Sequence, residues 1–589
     1  MRLRRGQTAV DDDARAVAPE PSSSAPAAGA QPTRRLGDLL VEQELVSQAE
    51  LMEGLLEQSA SGGRLGSVLV KLGMLDERDL ARVLSEQQGL PLVDLRQDVP
   101  EASALERLPE SVARSMHAIP IRETPDGLLI AVADSEEHDA YRVLSQAVGG
   151  PVVLVIAPPS DIARAIDGSY RALAGVDEQV RRFEAVGGVR ARTAGPQVEV
   201  ADDHAPVVQV VNLVITQALR DRASDIHLEP QGDVVRVRFR IDGALHEVQA
   251  LPAEMGPAVV SRIKVLAGMN IVERRRAQDG QLEMTIDGRD LDVRVSTVPT
   301  IHGEKAVLRL LDKSRSLFEL DQLGMPDSTR ATYSALTRHP YGMVIVAGPT
   351  GSGKTTTLYA TLAQLNTPDR NLTTIEDPVE YVFPSINQIQ INEQAGVTFA
   401  DGLKSILRQD PDVILVGEMR DVETARIAVQ SALTGHFVLS SIHATDAASA
   451  LHRFLDMGLE SFLIASSVLG IVAQRLVRRT CTHCRVRYEP TPEERMFYEH
   501  ASSSSKSEFW HGAGCNFCSH TGFEDRIGVF ELLRCTDEMR DLIVSSSSHD
   551  RIRELAVEQG MVPMREEALR LVEEDVTTIA EILRGVYLI

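Results

Sequence analysis

The segment Gly348-Pro349-Thr350-Gly351-Ser352-Gly353-Lys354-Thr355 constrains this chain more than any other, because it fits the phosphate-binding pattern G-x-x-x-x-G-K-[ST]. Met343 to Ala347 before it is a short apolar run that reads as a buried strand, and Thr356 to Leu365 after it reads as a helix. A strand, a glycine-rich turn and a helix start together aim backbone N–H groups and a helix N-terminus at an anion. The cradle from Gly348 to Thr356 is therefore expected to hold ATP, with Lys354 reaching the β- and γ-phosphates and the Thr355 hydroxyl on Mg²⁺. The loop predicts an α/β nucleotide-hydrolysing core and leaves open what the hydrolysis drives.

The 589 residues leave room for about four domains. A net charge of −24 argues against a general affinity for nucleic acid, whose phosphates call for a basic face. The best candidate for a membrane span, Phe462 to Val472, is too short and is broken by Ser466, Ser467 and Gly470. No apolar run of a secretion signal follows Arg2, Arg4 and Arg5, and five cysteines in so long a chain indicate a reducing compartment, so a cytoplasmic location is expected.

Residues 1–33 are rich in Ala, Pro, Ser and Asp and read as a disordered tail. Residues 34–170 read as an N-terminal domain that opens with an internal repeat: Arg35-Leu36-Gly37 recurs as Arg64-Leu65-Gly66, and Leu51, Leu55 and Gln58 recur as Leu80, Leu84 and Gln87. The i, i+4 leucines predict two short helices per copy, and a duplicated hairpin with a leucine core is the plain interpretation. The repeat also resembles the N-terminal domain of secretion and pilus ATPases that binds cyclic di-GMP through tandem Arg-Leu-Gly…Leu…Leu…Gln motifs. That resemblance implies that Arg35 and Arg64 contact guanine or phosphate, which suits arginine's planar fork. One position departs: the glycine between the paired helices is Gly73 in the second copy and Glu44 in the first. The remainder, with apolar runs at Leu128 to Ala133 and Val152 to Ile156, reads as a small α/β unit. Residues 171–203, with Gly187-Gly188 and Pro196, read as a linker.

Residues 204–312 read as a second α/β domain. In Val235-Arg236-Val237-Arg238-Phe239-Arg240-Ile241 the apolar residues share one strand face and the arginines the other; Arg294 and Arg309 lie on similar strands. Three arginines along one face repel unless anions meet them, and a domain just before a phosphate loop can supply arginine fingers. Residues 325–478 read as the nucleotide core. Strands at Leu372 to Ile375, Val413 to Gly417 and Phe437 to Ile442 end near Glu376-Asp377-Pro378-Val379-Glu380, Glu418-Met419-Arg420-Asp421 and His443. In a parallel sheet these ends share one edge with Lys354, whereas His436 starts its strand and needs a loop to bring it there.

These segments, with Leu407-Arg-Gln-Asp-Pro-Asp412 and Thr434-Gly435-His436, resemble the secretion ATPase superfamily in order and spacing across residues 204–478. The resemblance implies a RecA-like core preceded by a PAS-like domain, working as a homohexamer. Glu380 would be the general base and Glu418 the Walker B acid near Mg²⁺. His436 and His443 would sense the γ-phosphate, and Arg238, Arg240, Arg294 and Arg309 would approach phosphates. Where relatives carry His-Thr-Asn-Asp, this chain has His443-Ala444-Thr445-Asp446.

Cys481-x-x-Cys484 and Cys515-x-x-Cys518, in a segment spanning 479–522, read as a closed four-thiolate Zn²⁺ site; Cys535 is isolated and expected to be buried. Ser502 to Ser505 read as a loop tip between the pairs, and residues 523–589 as helices packed on the core. Within the superfamily a four-cysteine insert after Ala473-Gln-Arg-Leu-Val-Arg478 resembles the extending type. That implies a type II secretion ATPase driving pseudopilus assembly through inner-membrane platform and docking proteins, peripheral on that membrane. The alternatives are a type IV pilus extension ATPase, a nucleic-acid motor of the same fold, which the charge disfavours, and a cyclic di-GMP-regulated binding protein with a degenerate nucleotide site.

Overall fold

The computed structural model describes residues 35–135, 139–190, 205–312, 318–502 and 506–587. The expected tail at 1–33, most of the Ser502 to Ser505 tip and the end of the expected linker lie outside the described residues.

The repeat folds as two helix pairs, Leu36–Glu42 with Gln48–Ser61 and Leu65–Lys71 with Glu77–Gln88. Ser47 and Asp76 cap the second helix of each pair, Ser47 through a reciprocal capping box with Glu50. The Arg-Leu-Gly glycines have a packing reason. A Cβ on Gly37 would lie 3.1 Å from Leu51 Cδ1, and one on Gly66 only 2.6 Å from Leu80 Cδ1, so each glycine seats the repeated leucine of its own copy. Glu44 and Gly73 have the same left-handed backbone, φ 56° and 72°. The departure thus keeps the turn, at roughly 1–2 kcal/mol of backbone strain. A three-stranded sheet follows, Ala118–Thr124 antiparallel to Gly127–Val132, which is parallel to Val152–Ile156.

The expected linker is helical where it is described. Val176–Arg190 is an α-helix, and Val176, Val180 and Phe183, at i, i+4 and i+7, pack into the core of the following domain. The glycine pair had masked that stripe. That domain is a fully antiparallel six-stranded sheet in the order Ala244–Pro252, Val234–Ile241, Asp225–Gln231, Gly303–Asp312, Arg289–Thr300, Gln278–Ile286. Helices Pro206–Arg220 and Gly256–Leu266 bury Val235, Val237, Phe239 and Ile241 on one face.

The nucleotide core is a seven-stranded sheet in the order Asn387–Gln390, Leu372–Glu376, Val413–Val416, Phe437–Ile442, Gly342–Ala347, Val468–Thr480, Phe523–Arg534. All pairings are parallel except the last. Phe523–Arg534, expected to be helical, is the closing edge strand; the helices of the C-terminal part begin at Asp537. It carries a continuous buried run that has no period of its own. The four-cysteine segment is an excursion between the last two strands. No described helix is long and apolar enough to cross a membrane.

Candidate active site

The strand Gly342–Ala347 is buried throughout and delivers the chain into the loop. Gly353, at φ 87°, turns it into the helix Lys354–Leu365. Gly348 is a close approach: a Cβ there would meet Ser352 Oγ at 2.3 Å and the Gln474 carbonyl oxygen at 2.7 Å. Lys354 Nζ donates to the Gly348 and Pro349 carbonyls, both at 3.0 Å. Burial depresses its pKa, against the opposing pull of Glu418. Thr355 lies exposed in the first turn at the mouth of the loop.

Gln474 was legible only as a letter in a motif. It is fully buried on the neighbouring strand Val468–Thr480, where its Nε2 donates to Ser352 O at 2.6 Å and its Oε1 accepts from Thr357 Oγ1 at 2.8 Å. One amide therefore ties the phosphate loop at Ser352 to the helix that follows it at Thr357.

The acidic residues converge as the strand ends required. Glu418 follows Val413–Val416 and is bonded by Arg420 and by His443, whose Nε2 lies 3.3 Å from Glu418 Oε2. Glu380 follows Leu372–Glu376 through a cis Asp377–Pro378 bond. Its carboxylate faces the Arg294 guanidinium of the preceding domain at 3.3–3.4 Å through both oxygens. Behind it lies a buried network. Glu376 accepts from Tyr359 Oη, from Thr374 Oγ1 at 2.5 Å and from Gln388 Nε2 at 3.3 Å. The same Tyr359 oxygen accepts the Glu380 backbone N–H at 3.2 Å. Burial, reinforced by Glu376, raises the Tyr359 pKa, so its hydroxyl keeps its proton. Tyr359 thus ties the phosphate-loop helix to the backbone of Glu380.

Tyr359→Phe is expected to lower kcat about tenfold, the order of one hydrogen bond to a charged group. Initial rates against ATP concentration should show KM within about twofold of wild type, since no phosphate contact changes.

Other expected residues fall elsewhere. His436 precedes Phe437–Ile442 at the sheet's amino edge, where its carbonyl accepts from Gly342 N at 3.1 Å and its Nδ1 lies 3.1 Å from Ser431 O. The strand separates it from the phosphate edge by about 20 Å, and no described loop brings it round. His443 alone of the pair reaches the site. Of the four arginines only Arg294 contacts the core. Arg238 pairs with Glu229 at 2.7 Å, and Arg309 and Arg240 lie 3.1 and 3.7 Å from Asp225. The anions that relieve the arginine row are carboxylates of the same sheet. Burial alone would raise Glu229, but Arg238 and Lys305 outweigh it and hold it down at about 2.

The altered stretch after His443 is a cap. Asp446 accepts from Ser449 N at 2.8 Å at the start of Ala447–Asp456 and from Thr445 Oγ1 at 2.9 Å, and lies 3.0 Å from His549 Nε2.

The four cysteine sulfurs lie within 4.8 Å of one another, and the pairs Cys481–Cys515, Cys484–Cys518 and Cys515–Cys518 are 3.8–3.9 Å apart. Tetrahedral Zn–S bonds of about 2.3 Å require sulfurs about 3.8 Å apart. N–H groups of Gly514, Cys515 and Gly522 donate to Cys484 or Cys518 at 3.2–3.3 Å, as thiolate ligands need. Cys535 stands apart and buried, its thiol pushed up to about 12.

With this geometry in place, the sequence matches the family described as Type II/IV secretion system protein over residues 200–584. The chain belongs to that family. It is an ATPase of the class that serves type II secretion and type IV pilus assembly. The MshEN domain matches residues 88–175, beyond most of the helical repeat. Among curated relatives, it is 40% identical over 572 residues to the type II secretion system protein E of Xanthomonas campestris (93% of this chain, 98% of the relative). It is 38% identical over 565 residues to the type IV pilus assembly ATPase PilB of Myxococcus xanthus, with the same coverage of each. Among solved structures, the Legionella pneumophila ATPase DotB superposes with a TM-score of 0.48 at 22% identity, covering 63% of this chain and 93% of that one.

Proposed function

We propose that this ATPase powers type II protein secretion, working as a hexamer at the inner membrane through platform and docking proteins and driving pseudopilus assembly. The observation that carries the motor chemistry is the meeting of Lys354, Glu418 and Glu380 at one sheet edge, with Arg294 of the preceding domain on Glu380. Lys354 and the loop N–H groups hold the phosphates, and Glu380 takes the proton of the attacking water. Mg²⁺ held by Thr355 and Glu418 would neutralise charge developing between the β- and γ-phosphates. Arg294 competes between Glu380 and phosphate, so the two domains shift as nucleotide turns over. The four thiolates hold Zn²⁺ as a structural ion with no open position.

The pilus-assembly reading stands beside this one because a pilus ATPase is nearly as similar as a secretion ATPase. Deleting the gene separates them: loss of exported protein from the medium with surface pili intact supports secretion, and the converse supports the pilus.

The N-terminal repeat is proposed to bind cyclic di-GMP through Arg35 and Arg64. Support comes from the paired motif and from the exposed Leu55, Leu56 and Met52 beside it. Arg64 is bonded to Asp134, which the ligand must displace. Calorimetry with cyclic di-GMP at high micromolar concentration is expected to show binding that Arg64→Ala abolishes; no heat with the wild type would remove this ligand.

A further inference from the structure

Among the described residues, the four-cysteine segment touches both the N-terminal domain and the middle domain. Its turn Asn516–Cys518 lies on helix Pro159–Ser169 of the N-terminal domain, so close that a Cβ on Gly168 would sit 2.8 Å from the Asn516 carbonyl oxygen. Phe517 is buried within the hydrophobic core of the N-terminal domain, and its ring lies 4.6 Å from that of His483. Arg164 of the same helix lies 3.3 Å from His483 Nε2 of the segment and donates at 2.5 Å to Glu524, where the segment passes into the strand Phe523–Arg534. The middle domain adds Asp221, which accepts from Ser519 Oγ of the segment at 3.1 Å, and it meets the start of the adjoining strand Phe523–Arg534 through Arg222 on Asp525 at 2.8 Å and Asp242 accepting from Asp525 N at 3.2 Å.

The segment is also continuous with the motor. Cys481 directly follows the strand Val468–Thr480, and that strand carries Gln474, whose amide braces Ser352 of the phosphate loop and Thr357 of the helix after it. A shift of the segment is therefore a shift of a strand that holds the loop in register.

We propose that the four-cysteine module is the joint through which the N-terminal domain sets the rate of ATP turnover, its docking surface being the Arg164–Gly168 face of helix Pro159–Ser169. The contact is suited to release. It combines one aromatic plug with a partly exposed ion pair, and opening it withdraws a single buried ring, Phe517, from the N-terminal core. The inference rests on the zinc assignment only for the rigidity of the module.

The test uses the full chain in an Arg164→Lys background, where a carbodiimide can join position 164 to Glu524, scored by mass spectrometry. Gly168→Leu wedges the contact and is expected to abolish the cross-link and to change kcat about fivefold, the scale of an ordinary coupling between sites. KM for ATP and bound zinc should stay at the wild-type values, and the zinc measurement separates failure of the joint from failure of the metal site. In the native background Arg164→Glu is expected to change kcat in the same direction, and adding Glu524→Arg to restore it. A cross-link lost with kcat unchanged, or a cross-link that survives Gly168→Leu, would overturn the proposal.

Discussion

Glu380→Gln is expected to lower kcat by about 10²–10⁴, the range over which a positioned general base contributes. The amide is nearly isosteric and keeps a hydrogen-bonding oxygen, so the loop should keep its shape, held by Tyr359 through the backbone N–H of residue 380. What is lost is the capacity to take a proton from water. ATP affinity should be retained or rise, because the neutral side chain no longer competes with phosphate for Arg294, which now meets both carboxylate oxygens. Steady-state kinetics with nucleotide binding on the same samples check both halves. A variant that neither turns over nor binds ATP would place Glu380 in nucleotide binding rather than in water activation. Lys354→Ala provides the contrast, because its ammonium sits on the loop carbonyls where phosphates enter, and its loss should raise KM as well as lower kcat.

The sheet edge was legible because buried parallel strands announce themselves as apolar runs, and the residue after each run must lie at the carboxyl edge. Glu380, Glu418 and His443 follow from that alone. Tyr359 and Gln474 did not, since each sits in an apolar stretch where a core role explains it equally well; only the partners of their polar atoms reveal them. The arginine row was read as meeting phosphates, and the anions beside Arg238, Arg240 and Arg309 are carboxylates instead. The sequence could not say that Glu229 and Asp225, on the adjacent strand, would supply them, because cross-strand pairing depends on register. Helix Val176–Arg190 was hidden by its glycine pair, although its apolar stripe is plain once the partner helix Pro206–Arg220 is known. His436 was flagged as misplaced from its position at a strand start, and the fold keeps it there.

Cys518→Ser is expected to remove bound zinc and to lower the main unfolding transition. Loss of a structural metal belongs with the largest single-site effects, at least about 4 kcal/mol, or roughly 8–16 °C for a unit of 150–250 residues. The reason for so large an effect lies in where the module sits. It closes the turn between Val468–Thr480 and Phe523–Arg534, the antiparallel pair that ends the motor sheet. Cys481 N already bonds Gly522 O at 3.0 Å across that turn, and Thr480 N bonds Val576 O at 2.8 Å. Without the metal, the first of these contacts must hold a long excursion closed against its own entropy, and the edge strands fray from that end. Cys535→Ser separates zinc ligation from mere thiol burial. It places a hydroxyl in an apolar pocket and should also destabilise, by about 1–3 kcal/mol, yet leave zinc content unchanged. Metal analysis beside thermal unfolding reads the difference. Full zinc in the Cys518 variant would show that three thiolates suffice and that the module is held by its packing. Zinc lost with the transition unmoved would instead show that the edge strands stand without the joint.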